Sequence, residues 1–486
     1  MRTIIQKGGI IMRFDFKGKE DRGFILKEIE RFRSSERRRD MILGEDYYSG
    51  KHDILYRNRM VVGEKGELEQ AYNLPDNKAV DNQYRKLVNQ KSNYLLGRPL
   101  TFRTDDDGYY GYLSEIFDRR FLRLLKNLCK DVYNHGIGWL YPEIRDGKLR
   151  LKRLKGYELI PGWRDFEHTE LDYAIRIYEV VDYSQSNSQS SSKSEAAIIE
   201  RVEVFDDSGI HYFELSGNEL IEVAPYHCPY ITCGEISSGW EEDRVPLIAF
   251  KRDSCESALI NSVKSLQDGL NLILSNFWNA MEEDPRNTLL VLVNYDGEDL
   301  GEFRRNLAAY GAVKVRSIDG AAGDLKTLRI EVNAENYRTI IEIFKKAMNE
   351  NGMGFDAKDS LMVGRANQMN IQSMYSDVDL DANEIETEFQ ASLTDLMWYV
   401  EQLTDENVRP VEFIFNRDML LNESAIIDDC VKSLGILSRE TVIANHPWVD
   451  DVGKEVEKSD GSAASPSSRS LDSDEVEKNV DFRGGV

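Results

Sequence analysis

LINSVKSLQDGLNLILSNF (Leu259–Phe277), YRTIIEIFKKAM (Tyr337–Met348) and IQSMYSDVDLDANEIETEFQASLTDLMWYVEQL (Ile371–Leu403) belong to one stretch, Ser254 to Leu403, and their common reading decides the fold. In the first, Leu259, Val263, Leu266, Leu270, Ile273 and Phe277 recur at steps of four and three, which draws one apolar stripe along an α-helix. Tyr337, Ile340, Ile341, Phe344 and Met348 repeat the pattern. The third piece carries it through Val378, Ala382, Ile385, Phe389, Leu393, Leu396 and Val400 and predicts one very long helix. Between the first two lies an insert that reads strand, helix, strand, strand: Thr288–Tyr295, Asp299–Tyr310, Ala312–Ser317 and Leu325–Val332. So small an insert cannot cover three such stripes. They read as helices that pack on neighbouring copies, which predicts a ring or tube.

Working outward, Phe24 to Asp40 predicts a charged helix with Ile25, Ile29 and Phe32 as its apolar edge. Arg37, Arg38 and Arg39 fall near its C-terminal end, where cations complement the helix dipole. Val80, Tyr84, Leu87, Val88 and Leu95 mark another helix, closed by Gly97 and Pro99. Tyr110 to His135 follows as a helix whose Arg119, Arg123, Lys126 and Lys130 read as a solvated basic face. From Gly136 the pattern changes to strands, with Trp139–Ile144 and Lys148–Leu154 joined at Asp146-Gly147. Leu171–Val181, Ala197–Val204 and His211–Leu215 continue this β-rich module to VPLIAF (Val245–Phe250), with a Ser/Gln tract read as a mobile loop after Leu171–Val181. Beyond Leu403 the pattern gives helices at Ser424–Leu434 and Ser438–Asn445 and a polar tail, read as disordered.

The chain has 486 residues, enough for several domains, and a net charge of −24. Such an acidic chain is a poor candidate for tight wrapping of nucleic acid, which needs many phosphate-neutralising cations. Five cysteines are an odd number for a disulfide framework, and no apolar run approaches a membrane span. The opening MRTIIQKGGIIMRF is broken by Lys7, Gly8 and Gly9 and makes a weak signal peptide, so the expectation is a soluble cytoplasmic protein.

Catalytic signatures are missing: there is no phosphate-cradling GxxxxGK[ST], no GxGxxG and no GxSxG elbow. His227, Cys228 and Cys233 form the best metal-ligand cluster but lack a second pair, and no cofactor is implied. Asp377, Asp379 and Asp381 with Glu388 partly mimic a calcium loop. Ala382 stands where that loop needs Gly, so Asp377, Asp381, Glu384 and Glu388 read instead as an acidic helix face. NGMGFDAKDSLMVGRANQ (Asn351–Gln368) is too long and too apolar for a plain connector and reads as a functional loop, its glycines supplying backbone freedom. Its Lys358 and Arg365 can touch phosphates weakly, while Leu361, Met362 and Val363 can pack on a neighbouring copy.

YYSGKHDILYRN (Tyr47–Asn58), NLPDNKAVDNQYRKLVNQKSNYLLGRPLTF (Asn73–Phe102), VPLIAF and GILSRETVIANHPWVDD (Gly435–Asp451) occur in this order, and together they resemble the portal proteins of tailed bacteriophages, closest to those of long-tailed phages of Gram-positive hosts. The resemblance implies a portal-type α+β fold that assembles as a ring, usually dodecameric, around a DNA channel at one capsid vertex. It implies an N-terminal arm (1–24), a β-containing wing (25–253), stem helices (254–284 and 333–350) and an α/β clip (285–332). A tunnel loop (351–367), a long linking helix (368–410), a helical crown (411–455) and a disordered tail (456–486) would complete it. The channel loop would carry Lys358, Leu361, Met362, Val363 and Arg365, and the clip would dock its partners through Arg304, Arg305, Lys314 and Arg316. The implied partners are double-stranded DNA, the terminase large subunit, a head-completion or connector protein, and the major capsid and scaffolding proteins, with no membrane. The chain would be a non-enzymatic part of the virion, assembled in the host cytoplasm. The acidic net charge suits a channel along which DNA slides. Two other readings remain open: another ring-forming or coiled-coil adaptor or scaffold, and a metal-dependent nuclease built on the acidic clusters.

Overall fold

Ser35 divides the first charged helix in two. The chain leaves α1 (Lys19–Ser34), and the Ser35 hydroxyl caps α2 (Glu36–Ser49) by accepting from the Arg38 N–H. Arg37, Arg38 and Arg39 therefore sit in the first turn of α2 and not at a helix C-terminus, so the dipole does not hold them there. Arg37 pairs with the buried Glu256 instead, and Arg38 donates to the Tyr157 carbonyl at 3.1 Å.

The computed structural model describes residues 3–6, 9–12, 19–62, 66–71, 74–145, 148–182, 197–233, 236–238, 244–283, 288–293, 324–329, 334–356, 368–402, 410–417, 423–449, 452, 455 and 456. By contacts it divides into two units, Met1–Ala357 with Met374–Asp418, and Lys358–Ser373 with Met419–Val486. The Ser/Gln tract, the helix and strand expected over Asp299–Ser317 and the tail from 457 lie outside the described residues.

The first unit opens with a hairpin, β1 (Thr3–Gln6) and β2 (Gly9–Met12). After α2 come a second hairpin, β3 (Met60–Val62) and β4 (Leu68–Gln70), then α3 (Gln83–Leu96) and the short β5 (Thr101–Arg103). The predicted Tyr110–His135 helix is again two, α4 (Asp107–Ile116) and α5 (Arg119–His135), because Asp118 accepts from the N–H groups of Arg120 and Phe121 and restarts the chain. α5 ends at Gly136, whose φ of 78° and close approach to the Glu256 carbonyl leave no room for a Cβ.

β6 (Ile137–Arg145) and β7 (Lys148–Leu154) form the hairpin expected at Asp146-Gly147. β8 (Leu159–Trp163), β9 (Leu171–Asp182), β10 (Ala197–Phe205), β11 (Ile210–Ser216) and β12 (Glu219–Cys228) make a five-stranded antiparallel meander in spatial order β12-β11-β10-β9-β8. α1 lays Ile25, Ile29 and Phe32 on the inner face of this sheet, against Ile160, Ile175, Val202, Val204 and Phe213. β13 (Ile231–Cys233) and β14 (Ile236–Ser238) pair, and β15 (Ile248–Lys251) from VPLIAF joins β6 in a three-stranded sheet.

The three striped helices form as α6 (Ile260–Glu283), α7 (Ala334–Asn351) and α8 (Gln368–Glu401), with β16 (Thr288–Val293) paired antiparallel to β17 (Asp324–Arg329) in the insert. β18 (Glu412–Ile414) closes the first unit by pairing with β5. The second unit holds α9 (Glu423–Ser433) and α10 (Arg439–Ala444), with the Cys430 thiol buried near the Val442 carbonyl.

The stripes are not covered as the sequence leads one to expect. Along α8, Val378, Ala382, Ile385, Phe389, Leu393, Leu396 and Val400 are all buried within the chain. Phe389 meets Phe250 at 4.9 Å, Ser392 donates to the Ala249 carbonyl and Tyr399 to that of Val245. From Val378 to Val400 the stripe needs no neighbouring copy, because its own chain, including the VPLIAF strand, supplies the wall. On α7 only Met348 is buried.

α6 is seated by its polar side. Gln267, Asn271, Ser275 and Asn279 are buried and accept the backbone N–H groups of Tyr84, Asp81, Ala79 and Asn77, at 3.0, 3.1, 2.9 and 2.7 Å. Four helical residues rise about 6.0 Å and two extended residues span about 6.6 Å, so from Asn77 to Asp81 every second N–H meets every fourth residue of the helix, and Gln267 takes the Tyr84 N–H at the start of α3. Asn271 also donates to His52 Nδ1 at 2.8 Å. Burial lowers the His52 pKa, and its neutral ring carries the proton on Nε2, which donates to the Tyr47 carbonyl.

Asn271→Leu leaves the Asp81 N–H without its acceptor in the buried seat, at about 1–3 kcal/mol per orphaned group. We expect a clear fall in the thermal melting temperature, while Asn276→Ala on the exposed side of the same helix stays within about 0.5 kcal/mol of the parent. Equal effects from the two substitutions would contradict the seat.

Candidate functional site

The residues singled out for function, Lys358, Leu361, Met362, Val363 and Arg365 of the loop and Arg304, Arg305, Lys314 and Arg316 of the insert, lie outside the described residues. The structure describes what holds their flanks.

The segment leading out of α7 is fastened to α3. Gln90 binds the backbone of Phe355 twice, donating to its carbonyl at 2.8 Å and accepting its N–H at 3.2 Å, as a neighbouring strand would. Lys91 donates to the Met353 carbonyl at 2.9 Å. Gly352 and Gly354 are both buried, and a Cβ on Gly354 would lie 2.4 Å from Leu87 Cδ2. These two glycines serve close packing on α3, so the expectation that they loosen the backbone is corrected here. Phe355 packs on Tyr375, which stacks on Tyr94 of α3.

Beneath this root lies a buried charge cluster. Lys91 Nζ is 2.9 Å from Asp381 Oδ2 and both side chains are almost fully enclosed. Tyr133 donates to the same carboxylate at 2.7 Å and Arg252 approaches its other oxygen at 3.8 Å. Burial lowers the Lys91 pKa while Asp381 opposes the shift, and burial raises that of Tyr133. Asp381 is therefore not part of an acidic helix face. Sequence reasoning missed it, although a signal was present: Asp381 and Lys91 each stand at a position where their own apolar stripes require a core residue. Next to it on α8, Asp379 and Glu386 bind Arg417 at 2.8 and 2.7 Å.

A second cluster joins Glu45, Asp131 and His135, the one group of three metal-capable side chains among the described residues. Lys155 already supplies its cation, with Nζ 2.9 Å from Glu45 and 3.2 Å from Asp131, and Arg153 adds a second at 2.7 Å from Asp131. The His135 hydrogen bond, helped by Lys155 and opposed by burial, pulls the Glu45 carboxyl down to about 2. This arrangement ties α2, α5 and β7 together, and its two cations already meet both carboxylates. His227 lies against Ser208 and His211 at a strand turn, and Cys228 is a free thiol.

α6 and α7 pack through Phe277 and Tyr337, whose rings are 4.8 Å apart, and through Gly269, which admits Phe344. Their other faces remain apolar in water: Trp278 and Met281 on α6 and Ile340 and Ile343 on α7 are 40–58% exposed. The stripe of α8 from Val378 to Val400 is, by contrast, buried within the chain. No described helix is long and apolar enough to cross a membrane.

The class of protein is given by comparison with known families. Residues 31–464 match the family described as phage portal protein, SPP1 Gp6-like, and the chain belongs to that family. It is 26% identical over 450 residues to the portal protein of Clostridium phage phiCD119, covering 89% of this chain and 95% of that one. It is 25% identical over 430 residues to the portal protein of Bacillus phage SPP1, covering 86% and 82% respectively.

Removing one partner of the buried pair exposes the other to an apolar interior. Asp381→Ala should destabilise by about 3–5 kcal/mol, and Lys91→Met with Asp381→Leu should cost clearly less than that. Thermal or urea unfolding of the two variants checks the order; a double variant as unstable as the single one would show that the charges act separately.

Proposed function

We propose that this chain is the portal subunit of a phage virion, closing head-to-tail into a dodecameric ring through which double-stranded DNA is packaged and later ejected. The observation that carries the reading is the α6–α7 pair. Each helix is covered on one side by its own chain and carries Trp278, Met281, Ile340 and Ile343 on the other, while the α8 stripe from Val378 to Val400 is buried within the subunit. A heterologous contact that closes on rotation gives every copy a partner for such faces.

On this reading α6 and α7 are the stem, and the insert between them is a clip that meets other components. Arg304, Arg305, Lys314 and Arg316 would face the terminase large subunit during packaging and the head-completion protein afterwards. The loop bearing Lys358 and Arg365 would line the narrowest part of the channel, its root held in place by Gln90 and Lys91. An exposed phosphate contact contributes about 1 kcal/mol or less, weak enough to break at each step of DNA movement. Capsid and scaffolding proteins would surround the ring at one vertex, with assembly in the host cytoplasm.

Sedimentation velocity of the purified chain should give a particle of about twelve copies that persists through moderate salt. Only monomer or dimer at every concentration and ionic strength would contradict the proposal. In a packaging assay, Lys358→Ala with Arg365→Ala should slow DNA uptake without stopping it; complete loss of DNA binding and uptake would make the loop a grip and not a slide.

A further inference from the structure

α5 carries five Lys and Arg residues and one carboxylate, in a chain where acidic residues outnumber basic ones by 86 to 62. That carboxylate, Asp131, is buried and already holds Arg153 and Lys155. Arg119, Arg120 and Arg123 are exposed, and Lys126 and Lys130 are half-buried. Among the described residues no carboxylate pairs with Arg119, Arg120, Arg123 or Lys126. Asp118, next to them in the chain, gives its Oδ1 to the N–H groups of Arg120 and Phe121. Elsewhere in the first unit cations are taken up by acids: Arg176 by Glu158 and Glu203, Lys264 by Asp53 and Asp268.

The row is regular. Arg119, Arg123, Lys126 and Lys130 follow at steps of four, three and four along one side of the helix, over about 16 Å, the length of about five base pairs. α3 widens it. The Arg85 guanidinium lies over the Tyr48 ring at 5.5 Å and Lys130 Nζ over the same ring at 5.9 Å, and the Tyr48 hydroxyl donates to Asn89 Oδ1 at 2.9 Å. One ring thus gathers cations from two helices, with no carboxylate paired to either among the described residues. Lys86, next to Arg85, reaches Asp356 only at 3.9 Å. Like charges held together in this way raise the local potential and draw a polyanion.

What the ridge lacks says which polyanion. The core of a protein–protein contact is depleted of charge and rich in aromatic and apolar side chains. Among the described residues no exposed large hydrophobic side chain lies on α3 or α5, whereas Trp278, Met281, Ile340 and Ile343 stand on α6 and α7. Cations in line without an apolar centre suit a phosphate backbone, which offers regularly spaced charge and is met by Lys and Arg.

We propose that the α5 row, with Arg85 of α3, is a surface that contacts the phosphate backbone of duplex DNA, separate in the chain from the loop bearing Lys358 and Arg365. Contacts to phosphate carry no base information, so the surface holds any duplex alike. It holds loosely: the attraction is screened as salt rises, and a net charge of −24 repels DNA from the rest of the molecule. The row belongs to a single subunit, so the proposal goes beyond the ring reading and does not depend on ring closure.

The test is the salt dependence of DNA binding by the full chain, read as the anisotropy of a fluorescent duplex of about 30 base pairs at about 20 to about 150 mM salt. With about 0.9 counterions released per phosphate, four contacts give a slope of log K against log salt of about −3 to −4. Arg123→Gln with Lys126→Gln should make that slope shallower by about two and weaken binding at about 50 mM salt by about tenfold or more. Arg338→Gln with Lys346→Gln removes the same charge from exposed α7 cations held by Glu342 and Glu350, and should keep the parent slope. A parent that does not bind the duplex at about 20 mM salt would overturn the proposal, as would an Arg123 and Lys126 variant with the parent slope. An equal change from the α7 variant would also overturn it, because net charge alone would then be at work. If the α5 variant keeps DNA binding but sediments as a smaller assembly, the row meets an acidic face of another copy and the proposal falls. A chain that stays monomeric yet shows the slope and its change would leave this surface standing and remove the ring reading.

Discussion

The first unit depends on a match of lengths. A helix advances about 6 Å in four residues and an extended chain about the same in two, so Asn279, Ser275 and Asn271 along α6 can hold the alternate N–H groups of Asn77, Ala79 and Asp81 without distorting either, and Gln267 holds that of Tyr84 where α3 begins. Those N–H groups lie on a half-buried stretch with no strand partner among the described residues. The buried amide and hydroxyl groups of α6 supply the acceptors these N–H groups need. The seat turns an irregular segment into a rigid one, and the rest is mounted on it: Asn82 caps α3 and binds the Tyr47 carbonyl, and the Asp81 carboxylate reaches Lys345 of α7 at 2.7 Å.

From this seat the arrangement of α6 follows. One of its faces is committed to the extended segment and another to α7, and what is left over is exposed. α3, held at its N-terminus by the same segment, carries the root of the loop that follows α7 and supplies Lys91 to Asp381 of α8. Three helices that look independent in the sequence are thus linked through one short helix. A buried ion pair contributes little net stability by itself, since desolvation offsets most of its attraction, but it penalises every arrangement that separates the charges. Here it sets where α8 crosses α3.

What could be read from the residues was what repeats. The stripes of α6, α7 and α8 and the alternation around Asp146-Gly147 carry their own periods, and both held in the structure. What covers a stripe is not written in it. The α8 residues from Val378 to Val400 were expected to need a neighbouring copy, yet VPLIAF, more than a hundred residues earlier, lies against them. The breaks at Ser35 and Asp118 depend on single capping side chains inside runs that otherwise favour helix. β8 and β12 went unseen because Pro161, Gly162 and Pro225 interrupt their alternation. The seat itself was illegible for a different reason: it binds backbone N–H groups, which every residue in Asn77–Tyr84 possesses, so the side chains there show no pattern. Only the polar repeat at every fourth residue of α6 betrays it. The proposed channel and docking residues are a separate matter, since they lie outside the described residues and were inferred from resemblance.

Residue-resolved amide hydrogen exchange over Asn77 to Tyr84 tests the seat most directly. The N–H groups of Asn77, Ala79, Asp81 and Tyr84 should exchange slowly, and those of Lys78 and Val80 between them quickly, an alternation that neither a helix nor a free loop produces. Uniform exchange along the segment, whether fast or slow, would contradict the account.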